Sequence, residues 1–362
     1  MKWKRTVDFE DQVFQTEKWS NGKKEFDVDV SFTKNIDFFK LKQKTIKDYK
    51  NTVDNIKRTS TEIYKNKELL KKLSCCPICN SKYISHQITI YSARYYRCHD
   101  CSHVFVIEIP TKEAIEKFYR DENKDRTIYL DKETNRFRLN QVAMPRLMWL
   151  IEKYKSIYGR EPKSILDVGA GAGHFVKACR DHGLRAKGIE LNPEAHKFCK
   201  DNFGFELINK DFIESYNLFQ DYDIITFWLV LEHIPDPLKM IETAKKVLSK
   251  GGLIVADVPR WNSFSTALQS EFKDTITRHL DPAGHIHCFS DSSLATAFVK
   301  CGLELKSAWY FGMDMYELLM QFGYNSNLDL SELSSNLNSL QEKVDYSRLC
   351  DEIILVGKIT EG

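Results

Sequence analysis

The stretch Ser164-Ile-Leu-Asp-Val-Gly-Ala-Gly-Ala-Gly-His-Phe175 decides the fold. A short apolar run ends in Asp167 and breaks into three glycines, Gly169, Gly171 and Gly173, before a helical pattern begins. About twenty residues on, a spacing typical of nucleoside-binding βαβ units, a second apolar run ends in an acid, Glu190. Strand, glycine turn, helix and strand in that order form a cradle for a nucleoside. The glycines let backbone approach a ligand closely, and the acid accepts hydrogen bonds from a ribose diol.

The pattern around this unit is regular. Strand-like runs fall at 165–168, 186–190, 205–209, 223–227 and 253–258, with helical segments at 173–182, 193–203 and 237–248. Such alternation predicts an α/β domain: a mostly parallel sheet covered on both faces, with ligands at the carboxyl ends of its strands. A further helix is expected at 291–302, strands at 303–310 and 352–358, and a helical insertion over 313–345. The domain is expected to span 161–362.

Upstream, Cys76 and Cys79, then Cys98 and Cys101, stand as C-x2-C, eighteen residues, C-x2-C. Two tight turns that each present a pair of thiolates close a tetrahedron on Zn²⁺, so 73–110 reads as a small zinc ribbon. Four thiolates leave no open coordination position, which makes the site structural or recognitional. Cys75 and His99 are spare donors. Residues 1–72 read as a helical extension, with Phe9, Val13, Phe14 and Trp19 hinting at an amphipathic element and a Lys-rich helical pattern over 38–73. Residues 111–160 read as a helical connector whose charged part, 121–136, forms a loop or lid; Arg136, Arg138 and Arg146 read as surface positions, with an active-site-facing placement as the alternative.

At 362 residues the chain exceeds one ordinary domain, and 42% hydrophobic residues suffice for a sizeable core. No apolar run approaches the length of a membrane span, and the Lys-rich start has no signal-type core, so a soluble, cytoplasmic protein is expected. Ten cysteines, four of them in a metal pattern, fit a reducing compartment better than a disulfide framework. The net charge of +2 conceals a basic start: residues 1–74 carry 18 Lys and Arg against 12 Asp and Glu. An excess this dilute reads as a solvated helical surface and makes a nucleic-acid partner the lesser expectation.

From 162 to 359 the chain resembles the class I S-adenosylmethionine-dependent methyltransferases. Ile165-Leu-Asp-Val-Gly-Ala-Gly-Ala-Gly173 resembles their first motif, Gly188-Ile-Glu190 their second-strand acid, and Lys210-Asp-Phe212 the pair that brackets adenine. Tyr222–Trp228 resembles the fourth strand, Leu231-Glu-His-Ile-Pro-Asp-Pro237 the segment directly after it, and Leu248-Ser-Lys-Gly-Gly-Leu253 the entry to the fifth strand. The resemblance implies a Rossmann-like fold with a seven-stranded sheet and S-adenosylmethionine as cofactor. It implies Asp167, Gly169, Ala170, Gly171 and Gly173 around the amino-acid end, and Glu190 on the ribose. Leu191, Asp211 and Phe212 would lie at the adenine, with Trp228 also lining the cofactor site; a helix cap for Asp211 and a core position for Phe212 are the alternatives.

Methyl transfer to a hydroxyl needs a base as well as alignment. Candidates are His233, with Glu232 beside it, and His285 and His287 in the loop 279–290. Relatives that bind Mg²⁺ at the Glu-His pair add an acid three residues earlier; here that position is Leu229, which leaves Glu232, His233 and His285 as the only candidates for a second metal. Ribbon-bearing enzymes that this arrangement resembles modify glycans, nucleotide sugars or secondary metabolites. The expectation is therefore methylation of an oxygen, or less readily a nitrogen, of a sugar, glycan or small metabolite. The rivals are an RNA methyltransferase that stacks bases on Tyr91, Tyr95 and Tyr96, and a non-catalytic cofactor-binding scaffold. Oligomeric state is not legible.

Overall fold

Ile165, Leu166 and Val168 lie in a strand buried at every position, as does the whole of the strand Tyr222–Trp228. Continuous burial of this kind means helices or loops on both faces, the environment of a central parallel strand. The computed structural model describes residues 2–7, 15–34, 36–42, 49–111, 114, 130–272, 279–326, 328 and 337–360. From edge to edge its main sheet runs β1 (Lys4–Val7), β2 (Gln15–Ser20), β3 (Glu25–Phe32), β14 (Leu303–Phe311), β15 (Glu352–Ile359), β12 (Leu248–Pro259), β11 (Tyr222–Trp228), β9 (Ser164–Val168) and β10 (Arg185–Ile189).

The pairs β10–β9, β9–β11 and β11–β12 are parallel, and β15 then runs antiparallel between β12 and β14. Six of the seven expected strands are thus present as strands. The run expected at 205–209 contributes a single parallel bridge, Ile189 to Ile208. One helix, Asn135–Arg138, passes through a π-turn, Leu139–Ala143, into Met144–Tyr158, and this last stretch ends at Gly159 with φ +66. A π-turn widens a helix by one residue and re-aims the side chains after it. Here those include Arg146.

Residues 1–72 differ from the helical extension expected of them. β1, β2 and β3 extend the main sheet, with β3 parallel to β14. The alternation in Glu25-Phe-Asp-Val-Asp-Val-Ser-Phe32, whose Phe26, Val28 and Val30 are buried, is a period-two strand signal that the abundance of lysine obscured. Trp19 belongs to β2, while Phe9, Val13 and Phe14 lie outside the described residues. Helix does follow, at Tyr49–Lys65. Most of the expected loop 121–136 also lies outside the described residues. The helices within 313–345 are Asp314–Ser326 and Leu337–Tyr346.

The ribbon is built from β5 (Ile84–Ile90), β6 (Ala93–Cys98) and β7 (Val104–Val106), and it does not stand apart. Its two flanks are tied to each other, β4 (Leu70–Lys72) pairing antiparallel with β8 (Glu108–Pro110). A two-residue strand from the main domain, β13 (His287–Cys288), pairs antiparallel with β7 and completes the ribbon sheet. No described helix is long and apolar enough to cross a membrane.

Candidate active site

The glycine turn sits at the carboxyl end of β9. Gly169, Gly171 and Gly173 have φ of +76, +51 and +82, a region that costs an L side chain strain. A Cβ on Gly169 would fall 2.5 Å from Val230 Cγ2, so this turn passes against the segment that carries Glu232 and His233. Glu190 lies across the turn. Its carboxylate accepts from the amides of Gly171 at 2.8 Å, Leu191 at 2.8 Å and Asn192 at 2.9 Å. A bare backbone cradle with a half-buried carboxylate at its rim fits the amino-acid and ribose parts of S-adenosylmethionine.

Asp167 lies beneath the turn, 1% exposed, and accepts from Thr226 Oγ1 at 2.7 Å. Burial pushes its carboxyl up to about 7, against the opposing pull of Thr226 and Arg146. Leu191 is exposed and free to cover a planar ring. Asp211 and Phe212 have local roles that need no ligand. Asp211 Oδ1 accepts from the amides of Ile213 and Glu214 and caps the turn Phe212–Ser215, while Phe212 is buried in the main core against Phe219. A capping aspartate before an apolar residue has the same sequence as an adenine bracket; only position separates them.

Beyond Val230, Glu232, His233 and His285 converge, with one ligand atom from each within 4.8 Å of the others. His233 Nε2 is 3.8 Å from Glu232 Oε1, and the two imidazole rings are 4.9 Å apart. Glu232 is fully buried, and burial pushes its carboxyl well above the usual range, with Asp257 and Glu352 adding to the effect. Neither carboxyl oxygen has a hydrogen-bond partner among the described residues. Leu229, just upstream, holds φ +56, a strained backbone for a non-glycine residue at the strand end.

His287 does not join them. It is fully buried, its Nδ1 faces His103 Nε2 at 3.1 Å, and burial lowers it to about 4. The alternation of side chains along β13 sends it into the seam between ribbon and main domain.

Arg146, read from the sequence as a surface residue, is part of the site. Its guanidinium pairs with the fully buried Asp257 at the end of β12 and lies 4.6 Å over the Trp228 ring. Burial raises Asp257 to about 7, with Arg146 acting in the opposite direction. Lys34, on the turn after β3, lies over the rings of Trp309 and Phe311 at 5.7 and 4.8 Å, and burial together with Arg146 lowers it to about 7. Arg138 also departs from a surface role, donating from Nε to Thr134 Oγ1 at 3.1 Å. Arg146 Nε, Asp257 Oδ1 and Trp228 Nε1 are buried without a hydrogen-bond partner among the described residues. Unpaired buried polar atoms cost about 1–3 kcal/mol each, and a group of them at the strand ends is what a polar ligand would satisfy. No periodicity marks Arg146; in the sequence it stands only as one of three connector arginines with an active-site-facing alternative.

The four ribbon cysteines also converge. Cys76 Sγ lies 3.6 Å from Cys101 Sγ, and Cys79 Sγ 3.4 Å from Cys98 Sγ. Tetrahedral Zn–S bonds place sulfurs about 3.8 Å apart, so the quartet fits a zinc ion.

Residues 140–308, just under half of the chain, match the family described as a methyltransferase domain. The chain is 28% identical over 194 residues to a ubiquinone biosynthesis O-methyltransferase of Hydrogenovibrio crunogenus, covering 51% of this chain and 78% of the relative. A protein of the same description from Psychrobacter arcticus is 26% identical over 167 residues, covering 41% and 65%. One from Actinobacillus pleuropneumoniae is 30% identical over 120 residues, covering 30% and 50%. After the first, this chain therefore spans less than two thirds of these relatives' length. Among solved structures, the plantazolicin methyltransferase BamL in complex with SAH superposes with a TM-score of 0.47 at 14% identity, over 68% of this chain and 94% of its own. The chain carries, over residues 140–308, a match to a methyltransferase domain, preceded by a four-cysteine ribbon.

The raised carboxyls of Asp167 and Asp257 set a pH dependence. Between about 4, where these acids ionise in the unfolded chain, and about 7, the folded chain holds protons the unfolded chain has lost. Stability therefore falls as pH rises through that window. Asp167→Asn should shrink the loss between pH 5 and pH 8 by about 1–3 kcal/mol. Urea denaturation at the two pH values measures it, and an unaltered loss would contradict the assignment.

Proposed function

We propose that the chain transfers a methyl group from S-adenosylmethionine to an oxygen of a small hydroxylated molecule, with sugars and glycans as the first substrates to try. The observation that carries this reading is the close passage of the glycine turn at Gly169 against Val230. It sets a nucleoside cradle directly beside Glu232, His233 and His285. The description of the relatives as O-methyltransferases favours oxygen over nitrogen.

When bound, S-adenosylmethionine supplies the methyl carbon on an activated sulfonium. Gly169, Ala170, Gly171 and Gly173 present backbone to its amino-acid end, with the Asp167 carboxylate below as counter-charge. Glu190 turns its carboxylate to the ribose hydroxyls, Leu191 covers the adenine, and Trp228 walls the cradle. His285 or His233 takes the proton from the attacking hydroxyl, a contribution of typically ~10²–10⁴-fold. Arg146, Asp257 and Lys34 orient the acceptor, and alignment supplies most of the remaining acceleration.

The convergence of Glu232, His233 and His285 favours one second reading at the same place: a divalent cation held by these three side chains that draws the acceptor oxygen into line. The cation would also remove the anomaly of a buried, unpartnered Glu232. The RNA reading is the weaker for one of its three tyrosines, Tyr95, which is fully buried and donates its hydroxyl to the His285 carbonyl at 2.9 Å, while Tyr91 and Tyr96 are half-buried. A zinc ion on Cys76, Cys79, Cys98 and Cys101 would stabilise the ribbon, which in turn holds the loop bearing His285.

Three outcomes are expected. Glu190→Ala should weaken S-adenosylmethionine binding at least tenfold by calorimetry; unchanged affinity contradicts the cradle. Cys98→Ser should lose stoichiometric zinc by elemental analysis and lower the melting temperature, whereas full zinc content would refute the ligand set. With a hydroxylated acceptor in hand, His285→Ala should lower kcat by a factor of 10² or more. Loss of turnover on dialysis against chelator, restored by Mg²⁺ while the ribbon keeps its zinc, would select the cation over the free base.

A further inference from the structure

Away from this site, a cavity of about 140 Å³ lies where the N-terminal strands, the ribbon and the segments after β12 and β13 meet. Three indoles line it, those of Trp3, Trp19 and Trp261. None of the cradle residues, nor Glu232, His233 or His285, is among its lining.

The polar groups of the cavity fall into two sets. One is engaged in holding the wall together. Asp291 accepts from Arg260 Nε at 2.7 Å and from Tyr310 Oη at 3.0 Å, and pairs with Arg5 at 2.9 Å. Burial works against its charge, but Arg260 and Arg5 hold its carboxyl below the usual range. Ser290 caps the ten-residue helix Asp291–Lys300.

The other set is open. Among the described residues the exposed Arg97 has no ion pair, and the side chains of Ser102, Asn262 and Ser292 carry no hydrogen bond. Ser292 stands in the first turn of the capped helix, whose amide end adds partial positive charge to that of Arg97.

Each kind of group narrows the ligand. Trp19 is buried with the Arg5 guanidinium over its ring, which leaves the half-buried Trp3 and Trp261 to meet the C–H face of a sugar ring or a planar ring. Two serine hydroxyls and an amide offer both donors and acceptors, which matches a ring of hydroxyls. A free guanidinium beside a helix amide end calls for an anion. The volume is small against the pockets of drug-sized ligands, roughly 300–1,000 Å³, and so admits one ring. We propose that this cavity binds a single sugar ring carrying an anionic group, either a phosphate or a carboxylate. The inference stands on the cavity and is independent of the methyl-transfer reading.

Tryptophan fluorescence of the full chain tests it directly, since three indoles report on the cavity. Glucose 6-phosphate and glucuronate should each be titrated beside glucose, inorganic phosphate and uridine monophosphate. A saturable change is expected with at least one of the two anionic sugars, tighter than with glucose or phosphate by tenfold or more. Whichever of the two responds identifies the anion. Arg97→Ala and Asn262→Ala should each weaken that response at least fivefold, and Glu190→Ala should leave it unchanged. Arg97 adjoins Cys98, so zinc content and circular dichroism accompany that variant, and Asn262→Ala decides if the ribbon is disturbed. No response to either sugar, an equal response to phosphate alone, tighter binding of uridine monophosphate, or indifference to Asn262→Ala together with a well-folded Arg97→Ala would overturn the proposal.

Discussion

The end of β10 ties down the glycine turn through the Ile189 carbonyl, which accepts from the amides of Gly169 and Ala170, and through the Glu190 carboxylate. Glu190, at the end of β10, accepts from the Gly171 amide and from the two amides next to it in its own turn. The glycine turn needs left-handed backbone at three positions and close contact with Val230, and its Gly173 amide closes it on the Ala170 carbonyl. Hydrogen bonds to a charged acceptor are worth about 1.5–3 kcal/mol, enough to fix the relative place of the β9 and β10 turns. The same oxygens are the ones the proposed cofactor's ribose would address.

The ribbon and the N-terminal segment act on the other half of the site. Tyr95 donates to the His285 carbonyl, Tyr64 to the Pro282 carbonyl at 2.7 Å, and the Val106 amide to the Ile286 carbonyl at 3.0 Å. Burial raises both tyrosines well above their usual range, so the hydroxyls remain donors at any working pH. With β13 paired to β7, the histidine loop is held from several points by residues that precede the methyltransferase domain in sequence. β3 likewise delivers Lys34 beside Asp257 and Glu352. The N-terminal half therefore shapes the side that carries the histidine loop, while the glycine-turn side is formed within 164–230.

Legibility in the sequence followed locality. The glycine turn, Glu190 and the CxxC pairs depend on residues close together in the chain, and each carries a backbone or ligand requirement that few other residue types satisfy. Arg146 and Lys34 carry no such mark; a long cationic side chain looks the same at the surface and over a buried aspartate. The misassigned histidine, His287, turned on one position of register: neighbours on a strand face opposite ways, so His287 points at His103. β1 to β3 were concealed because lysine-rich alternation with polar outer positions resembles a solvated helix when only its composition is weighed.

The most direct test of the central claim is equilibrium binding of S-adenosylmethionine, S-adenosylhomocysteine and NAD⁺ to the full chain by calorimetry. One site per chain for both S-adenosyl compounds, competing with each other, and no heat with NAD⁺, is the predicted result. Binding of NAD⁺ without either S-adenosyl compound would contradict the account, because the same glycine turn would then serve a different nucleoside.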